Sequence, residues 1–307
     1  MNNPDKLESP VLTVLLVTYN HEKTVLEAIK SIVSQKTIFP FILKIFDDCS
    51  SDLTLILCTD YLNKINFKNY FIFTSKKNNG AVNNFRKALK SVETKYFTLL
   101  EGDDFWTSNL RIDTSLRLLE SNMDCAIAAH NTYLINDDID TNIKVKNSKV
   151  VNSYFSNGLP NNGNEIFDIF NAPYFHFSSR TYRSFPIDFE SENEFIFFDL
   201  FLYYKYLSFG DVFYIDKVMS AYRYNFKGTW SSLTSYEQKY RNIYIYLEMI
   251  VYFKNKYGFF YNSITGNSKL LLRFFKTDSF YFLIYFSFLR KIVTHLIIFY
   301  QNKFCKI

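Results

Sequence analysis

The amino-acid sequence predicts an α/β protein built on a parallel, doubly wound sheet. In the first 130 residues, apolar runs rich in β-branched residues alternate with segments whose apolar residues recur at helical spacing. The connections between these segments are short, which favours parallel strands joined by helices. Polar residues directly follow several of the strands, and ligands of such sheets bind beyond the carboxyl ends of the strands. We therefore expect the functional site at one edge of the sheet.

The individual elements follow from their residues in order. Residues 11–18 form a continuous apolar run, typical of a strand buried on both faces. Val25, Ile29 and Ile32 share one helical face and predict a helix over 24–35. Further strands are predicted over 42–46, 70–74, 96–100 and 125–129, and further helices over 53–62, about 82–91 and about 110–121.

The pattern changes after the fifth strand. Residues 136–164 are rich in Asn, Asp and Ser, which predicts a loop or a small hairpin. Later strands are predicted over 174–182, 212–215 and 219–224, and later helices over 197–209 and 235–257. We predict one domain over 1–232, divided into parts at 11–130 and 131–232, and a helical C-terminal extension over 233–307.

Acidic residues are concentrated after two of the strands. Those after the second strand are Asp47, Asp48 and Asp52, and those after the fourth are Glu101, Asp103 and Asp104. Acids crowded within four residues repel one another, and a divalent cation removes that cost. Carboxylate oxygens suit Mg²⁺ or Mn²⁺. The alternatives are a solvated acidic turn after the fourth strand, and turn formation or helix capping after the second.

Five ordered segments together resemble the motifs of family 2 glycosyltransferases, in the bacterial branch with an E-G-D-D-[YF]-W motif. They are VTYN (17–20), DDCSSD (47–52), LEGDDFW (100–106), FDL with the later MSAYR (198–200, 219–223), and KGTWS (227–231). The resemblance covers about residues 11–232. It implies the GT-A fold, a Rossmann-like mixed sheet flanked by helices, with 11–130 binding the nucleotide-sugar and 131–232 serving the acceptor and the catalytic base.

The resemblance also implies an activity. It implies inverting transfer of a sugar from a nucleotide-sugar, favouring a UDP-sugar, to a hydroxyl of a glycan or lipid-linked glycan. Many enzymes of this branch build capsule, lipopolysaccharide or other bacterial surface polysaccharides.

The resemblance assigns roles to matching positions. Tyr19 would lie against the nucleotide base, and Asp48 would hydrogen-bond it. Asp103 would lie beside the ribose and the metal, and Asp104 would be the main ligand of Mn²⁺ or Mg²⁺, with Glu101 in the same motif. The other donor-binding positions so implied are Thr18, Asn78, Gly80 and Asn84. For the three after the third strand, a turn and a helix cap are the alternative.

Asp199 matches the position of the catalytic base. Inversion needs one carboxylate that removes the proton from the acceptor hydroxyl as it attacks the anomeric carbon. The alternative is that Asp199 caps its helix, and Glu192 and Glu194 are nearby competitors for the role.

The sequence departs from the family pattern at Asn225, where the family usually has a histidine associated with the metal or pyrophosphate. Asparagine can hydrogen-bond a phosphate oxygen but is a poorer metal ligand, which puts metal affinity in doubt. Arg223 and Lys227 are the cationic candidates for the pyrophosphate. Trp230 would close over the donor or pack in the core.

The net charge of +5 is a property of the C-terminus, because residues 266–307 carry seven basic residues and one acid. This tail is also aromatic, which is typical of segments that lie in a membrane interface. We expect a cytoplasmic protein bound peripherally to the inner face of the membrane, with no nucleic-acid partner. A helical pair covering the domain, or a homo-oligomer contact, is the alternative for the tail.

Two other functions compete with glycosyl transfer. A sugar nucleotidyltransferase needs a glycine-rich phosphate loop after the first strand, and residues 17–22 contain no glycine. A sugar-nucleotide-binding or scaffold protein without activity is the other alternative, and Asn225 is its best support.

Overall fold

The structure, a computed structural model, describes residues 9–136, 149–151, 164–167, 175–186, 198–224 and 234. The predicted helix over 235–257 and the basic tail lie outside these residues. So do Asn225, Lys227 and Trp230. In the part of the chain that is described, no helix is long and apolar enough to cross a membrane.

Ten strands and five helices follow one another in the described residues. The strands are β1 (Leu12–Thr18), β2 (Phe41–Asp47), β3 (Tyr70–Thr74), β4 (Tyr96–Glu101), β5 (Phe105–Trp106), β6 (Cys125–Asn136), β7 (Lys149–Val151), β8 (Glu165–Phe167), β9 (Arg180–Arg183) and β10 (Asp211–Tyr224). The helices are α1 (Val25–Val33), α2 (Thr54–Lys64), α3 (Ala81–Lys90), α4 (Arg111–Ser121) and α5 (Phe198–Leu207), and a 3₁₀ turn covers Phe177–Ser179.

The described strands form one mixed sheet in the order β3-β2-β1-β4-β9-β6-β10-β5. The strands β3, β2, β1 and β4 are parallel neighbours, as the short strand–helix connections predict. β9 runs antiparallel to both β4 and β6, and β10 runs parallel to β6. The strands β5 and β8 add antiparallel pairs to β10, and β7 adds one to β6. The predicted α/β fold, a mixed sheet flanked by helices, is confirmed.

One face of the sheet packs against α1, α2 and α4. Leu43 and Ile45 of β2 share a buried cluster with Ile29 of α1, Leu62 of α2 and Leu116 of α4. All five side chains are fully buried, and removal of their apolar surface from water stabilises this layer by about 1.5–3 kcal/mol each. The helix α3 packs against β1 and β2 outside this layer.

Aromatic side chains fill a second packed region between β4, β9 and α5. The rings of Phe97 and Tyr182 stack with centroids 4.9 Å apart. Tyr206 of α5 meets both rings edge-on, at 5.5 Å from Phe97 and 4.8 Å from Tyr182. Part of the high aromatic content of the sequence therefore serves to dock α5 on the sheet.

Four predicted elements differ from those observed. The strand predicted over 125–129 continues to Asn136, and the strands predicted over 212–215 and 219–224 are one strand, β10. β10 keeps its pairing with β6 across irregularities near Val218, so tertiary pairing joins the two short segments. The strand predicted over 174–182 begins only at Arg180. His176 Nδ1 accepts the Ser178 N–H at 3.3 Å, and this local hydrogen bond favours a turn over a strand.

Arg183 joins the end of β9 to the end of α4. Its buried guanidinium donates to the carbonyl oxygens of Leu119 at 2.6 Å and Cys125 at 3.3 Å. It also donates to the Tyr96 hydroxyl at 3.1 Å. The guanidinium thereby satisfies backbone acceptors that the end of a helix leaves without partners.

Replacement of Arg183 by Met is expected to lower the free energy of unfolding by about 3 kcal/mol, because each orphaned buried acceptor costs about 1–3 kcal/mol. Arg117→Met is the matched control. Its guanidinium is half-exposed beside Asp113, and such pairs contribute only about 0.3–0.5 kcal/mol. Urea denaturation of both variants measures the difference, and equal losses would contradict this account of Arg183.

Candidate active site

The carboxyl ends of β1, β2 and β4 lie side by side at one edge of the sheet. Thr18 is opposite Asp47 in the pairing of β1 with β2, and Val17 is opposite Glu101 in the pairing of β1 with β4. The Gly102 N–H donates to the Val17 carbonyl oxygen at 2.8 Å, which extends this alignment past the end of β4. The acids after β2 and β4 therefore share one edge, as predicted.

Gly102 lies directly against the turn that follows β1. A Cβ atom at this position would lie 2.5 Å from His21 Nδ1 and 2.7 Å from Thr18 Oγ1. Those two side chains contact each other at 3.2 Å, and the Thr24 hydroxyl donates to the Gly102 carbonyl oxygen at 2.9 Å. Because these atoms occupy the space of a side chain, the position fits glycine and brings the two loops together.

Asp104 is buried and is held from two sides. One carboxylate oxygen accepts the Arg223 backbone N–H of β10 at 3.0 Å, and the other accepts the Ser178 hydroxyl of the 3₁₀ turn. Burial and the charge of Asp103 raise the pKa of Asp104 well above its usual value, although these two hydrogen bonds lower it. The predicted metal carboxylate thus connects three segments that are distant in the sequence.

Arg223, predicted to bind the pyrophosphate, is 5% exposed and bridges β10, α1 and the acidic motif. Its guanidinium donates to Glu27 Oε2 at 2.5 Å and to the Asp103 carbonyl oxygen at 3.0 Å. These contacts make Arg223 part of the wall of the site. Its contact with a pyrophosphate stays a prediction.

The charge of Asp199 acts on the acidic motif. Burial is the largest cause that raises the pKa of Glu101 well above its ordinary value. The negative charges of Asp103, Asp104 and Asp199 raise it further. The predicted catalytic base, at the start of α5, therefore lies within electrostatic range of the acids after β4.

The segment 176–180 contacts both Asp104 and the backbone of Asp199. Arg180 is fully buried, and its guanidinium donates to the Asp199 backbone carbonyl oxygen at 3.0 Å. Two residues earlier, Ser178 donates to Asp104. Burial, and then the charge of Arg180, lowers the pKa of His176 to about 3, so this imidazole is neutral. Sequence reasoning missed Ser178 because it lay within a predicted strand.

Asp48 is 2% exposed and holds the loop between β3 and α3. Its carboxylate oxygens each accept the Asn79 N–H at 3.0 Å. Asp52 accepts the Thr54 N–H at 3.0 Å and forms a turn just before α2, whose N-cap is Leu53, so turn formation is the observed alternative. The predicted contact of Asp48 with a nucleotide base stays a prediction.

The three predicted donor residues after β3 shape the same loop. Asn78 Oδ1 accepts the Gly80 N–H at 2.8 Å, and Gly80 has a φ of 84°, a left-handed conformation that favours glycine. The buried Asn84 side chain donates to the Phe46 carbonyl oxygen at 2.9 Å and fixes α3 beside the end of β2. Tyr19, by contrast, is 41% exposed at the rim of the site.

The residues after β4 fit a divalent cation in a site completed by a ligand. Burial, and then the charges of neighbouring acids, raise the pKa of Glu101 and Asp104. A bound cation would lower both pKa values and stabilise the ionised carboxylates. The Asp103 side chain is 21% exposed and lies 3.9 Å from His21 Nε2. Within the described residues, no three His, Cys, Asp or Glu side chains form a cage for a metal. Mg²⁺ usually takes one or two protein carboxylates together with phosphates. The acids at the end of β4 supply such carboxylates, and a bound ligand would supply the phosphates.

A buried arginine supports the 3₁₀ turn from behind. Arg111 donates to the Thr98 hydroxyl at 2.9 Å, to the Arg180 carbonyl oxygen at 3.1 Å and to the Ser178 carbonyl oxygen at 3.3 Å. It also donates to His130 Nε2 at 3.0 Å, which identifies this nitrogen as an acceptor. Burial lowers the pKa of Arg111 to about 9. Sequence reasoning gave no signal for Arg111, since its partners come from distant segments.

Comparison with known proteins identifies the family. The model of the family described as Glycosyl transferase family 2 matches residues 13–188, more than half of the chain. The chain therefore belongs to glycosyl transferase family 2, and the predicted family is confirmed. Glycosyl transfer is the activity that this membership supports.

The chain is also similar in sequence to proteins of three bacterial species. Uncharacterized proteins of Mycobacterium tuberculosis and Mycobacterium bovis are 23% identical over 230 residues, 75% of this chain and 63% of theirs. The chain thus spans less than two thirds of the length of these relatives. The poly(ribitol-phosphate) beta-N-acetylglucosaminyltransferase TarS of Staphylococcus aureus is 34% identical over 96 residues, 30% of this chain and 16% of TarS.

Two solved structures share the fold. TarS 1–349 in complex with UDP-GlcNAc aligns with a TM-score of 0.55 at 18% identity, over 78% of this chain and 66% of that one. The mannosyltransferase PcManGT of Pyrobaculum calidifontis, in complex with GDP-Man and Mn²⁺, aligns with a TM-score of 0.57 at 12% identity, over 97% and 88% of the two chains. At these identities the likeness shows the fold.

The hydroxyl of Ser178 provides a test of the support for Asp104. Ser178→Ala is expected to slow hydrolysis of the nucleotide-sugar donor about tenfold, because a hydrogen bond to a charged group contributes about 1.5 kcal/mol. Ser179→Ala is the matched control, since its hydroxyl donates to the His176 carbonyl oxygen at 2.6 Å in the same turn. Equal rates in the two variants would remove the proposed role of Ser178.

His130 predicts a pH dependence of stability. Burial, and then the charge of Arg111, holds the pKa of His130 well below its usual 6.5. The unfolded chain binds a proton at this histidine below pH ~6.5 while the folded chain does not, so acid favours unfolding. We expect the free energy of unfolding to fall more steeply below this pH in the wild type than in His130→Gln, by up to about 1.4 kcal/mol per pH unit. Urea denaturation at several pH values measures both slopes, and parallel slopes would contradict the neutral histidine.

Proposed function

We propose that the protein is an inverting, metal-dependent glycosyltransferase that uses a UDP-sugar. Its acceptor is a hydroxyl of a glycan or lipid-linked glycan in the synthesis of a bacterial surface polysaccharide. The observation that carries this proposal is the turn at 176–180, where Ser178 donates to Asp104 and Arg180 donates to the backbone of Asp199. The complexes of TarS with UDP-GlcNAc and of PcManGT with GDP-Man and Mn²⁺ support a nucleotide-sugar donor and a divalent metal.

In this proposal the edge of the sheet holds the donor. Tyr19 offers an exposed aromatic face to the nucleotide base, and Asp48 fixes the adjoining loop. Asp103 and Asp104 would hold Mn²⁺ or Mg²⁺ with Glu101 beside them, and Lys227 and Trp230 would contact the donor, as the family resemblance of their segment implies. When bound, the metal neutralises the charge that develops on the nucleoside diphosphate as it leaves.

Asp199 acts as the general base of a single displacement. Its carboxylate accepts the proton of the acceptor hydroxyl while the hydroxyl oxygen forms a bond to the anomeric carbon. The bond from that carbon to the nucleoside diphosphate breaks with its electron pair on the leaving oxygen, so the configuration inverts. Arg180 holds the backbone of Asp199, the second residue of α5.

A sugar-nucleotide-binding protein without transferase activity is the second candidate. Two observations favour it: Asn225 replaces the usual histidine, and the Arg223 guanidinium is already engaged by Glu27. Either function is compatible with the proposed peripheral contact of residues 266–307 with the cytoplasmic face of a membrane. Either is also compatible with a homo-oligomer.

Substitution of the two central acids tests the function. A panel of nucleotide-sugars is screened with and without Mn²⁺ for thermal stabilisation and for sugar release, and the best donor is kept. Asp199→Asn is expected to retain donor binding and to lower sugar release by about 100-fold or more, the usual contribution of a general base. Asp104→Asn is expected to lose Mn²⁺-dependent donor binding as well.

Asp60→Asn, an exposed change on α2, is the control and should behave as the wild type. Donor binding with no sugar release by the wild type or by any of the variants would favour a sugar-nucleotide-binding protein without transferase activity. Pyrophosphate release that depends on UTP would favour a nucleotidyltransferase. Either outcome would overturn the proposed transferase.

A further inference from the structure

A second basic region lies in the catalytic domain, apart from the C-terminal tail. Residues 61–92 contain seven basic residues and no acid. They are Lys64, Lys68, Lys76, Lys77, Arg86, Lys87 and Lys90. The net charge of residues 1–265 is close to zero because acids elsewhere offset this region. All six lysines are exposed.

Two exposed phenylalanines lie in the middle of this region. Phe71 and Phe73 of β3 are 56% and 41% exposed. β3 is the terminal strand of the sheet, and its described partner is β2. Large exposed aromatic side chains on an edge strand favour a contact with another protein or with a membrane.

The position of these rings follows from the register of β2 and β3. Phe71 lies opposite Lys44, and Phe73 opposite Phe46, so all four side chains share one face. Lys44 Nζ donates to the Ser91 carbonyl oxygen at 2.5 Å, just beyond α3, so this is the face that α3 covers over β2. The two rings on β3 therefore project beside α3 rather than beneath it.

Cations surround the two rings. Lys68 precedes β3, and Lys76 and Lys77 follow it. Lys87 of α3 donates to the Ser75 hydroxyl at 2.9 Å, which places a cation of α3 beside the end of the strand. We define the β3 surface as Phe71 and Phe73 together with these four lysines.

Charge decides what can cover the β3 surface. A second copy of the chain docked face to face would bring like charges together. The occupant must be anionic and must also accept the exposed Phe71 ring and the partly exposed Phe73 ring, which stacks on Phe46 with centroids 4.6 Å apart. The interface of an anionic lipid bilayer meets both requirements, since phosphates attract lysines and the acyl boundary takes up apolar rings.

We propose that the β3 surface docks on an anionic lipid bilayer. The loop that leaves β3 is the one that Asp48 holds through Asn79 at the edge of the candidate site. Docking therefore brings that rim of the donor site to the lipid surface. The β3 surface is separate from the residues assigned to donor and base, so its loss leaves the chemistry in place.

Vesicle sedimentation of the full chain tests this proposal. Vesicles of phosphatidylcholine, with and without phosphatidylglycerol, are compared. The double variant Lys76→Gln, Lys77→Gln is expected to lower the partition constant on the anionic vesicles roughly 25-fold, since each lysine contributes about 1 kcal/mol near such a surface. Phe71→Ser is expected to lower it about tenfold through lost apolar burial.

Matched changes on the opposite face serve as controls. Lys30→Gln with Lys36→Gln, and Ile38→Ser, alter exposed residues at α1 and just beyond it and should leave the partition constant within about twofold. Wild-type binding in the β3 variants would overturn the proposal and assign binding to the tail. A second outcome would also overturn the proposal, in favour of a soluble polyanion. In that outcome the lysine variant loses vesicle binding but Phe71→Ser does not, and the wild type binds a single-stranded oligonucleotide as tightly as it binds the anionic vesicles.

Discussion

The burial of Asp104 is the constraint on which the rest of the site depends. A carboxylate that is 1% exposed costs free energy unless donors surround it, and those donors come from two other segments. Ser178 supplies a hydroxyl from the turn before β9, and Arg223 supplies a backbone N–H from β10. These donors add to the pairing of β9 with β4 and of β10 with β6. The need to satisfy one acid fixes their positions relative to the end of β4.

A second consequence follows for the neighbouring charges. Arg223 can present its N–H to Asp104 because its guanidinium is held by Glu27 of α1 and by the Asp103 carbonyl oxygen. The Arg223 guanidinium is therefore paired with Glu27, and it compensates only part of the negative charge of the acidic motif. Burial, and then the charges of neighbouring acids, raise the pKa of Glu101 and Asp104, while the charge of Arg223 lowers that of Asp104. Such a site gains most from a divalent cation that arrives with a phosphate ligand.

The sequence could predict what local pattern determines. Periodicity placed the strands and helices up to residue 129, and strand order placed the acids after β2 and β4 at one edge. It could not predict the donors to Asp104, because Ser178 is 74 residues and Arg223 is 119 residues from Asp104 in the sequence. The length of β10 was missed for the same reason. Its two short apolar segments become one strand only because β6 pairs with both.

The turn at 176–180 shows how the two chemical halves of the site are kept in register. Ser178 contacts the acid predicted to bind the metal, and Arg180 contacts the backbone of the predicted base. Only one residue separates them, so the spacing between Asp104 and α5 depends on one turn of rigid backbone. Arg111 supports that turn through the carbonyl oxygens of the same two residues. The proposed sugar transfer needs a fixed distance between the leaving group and the base, and a buried, doubly supported turn provides it more precisely than a surface loop would.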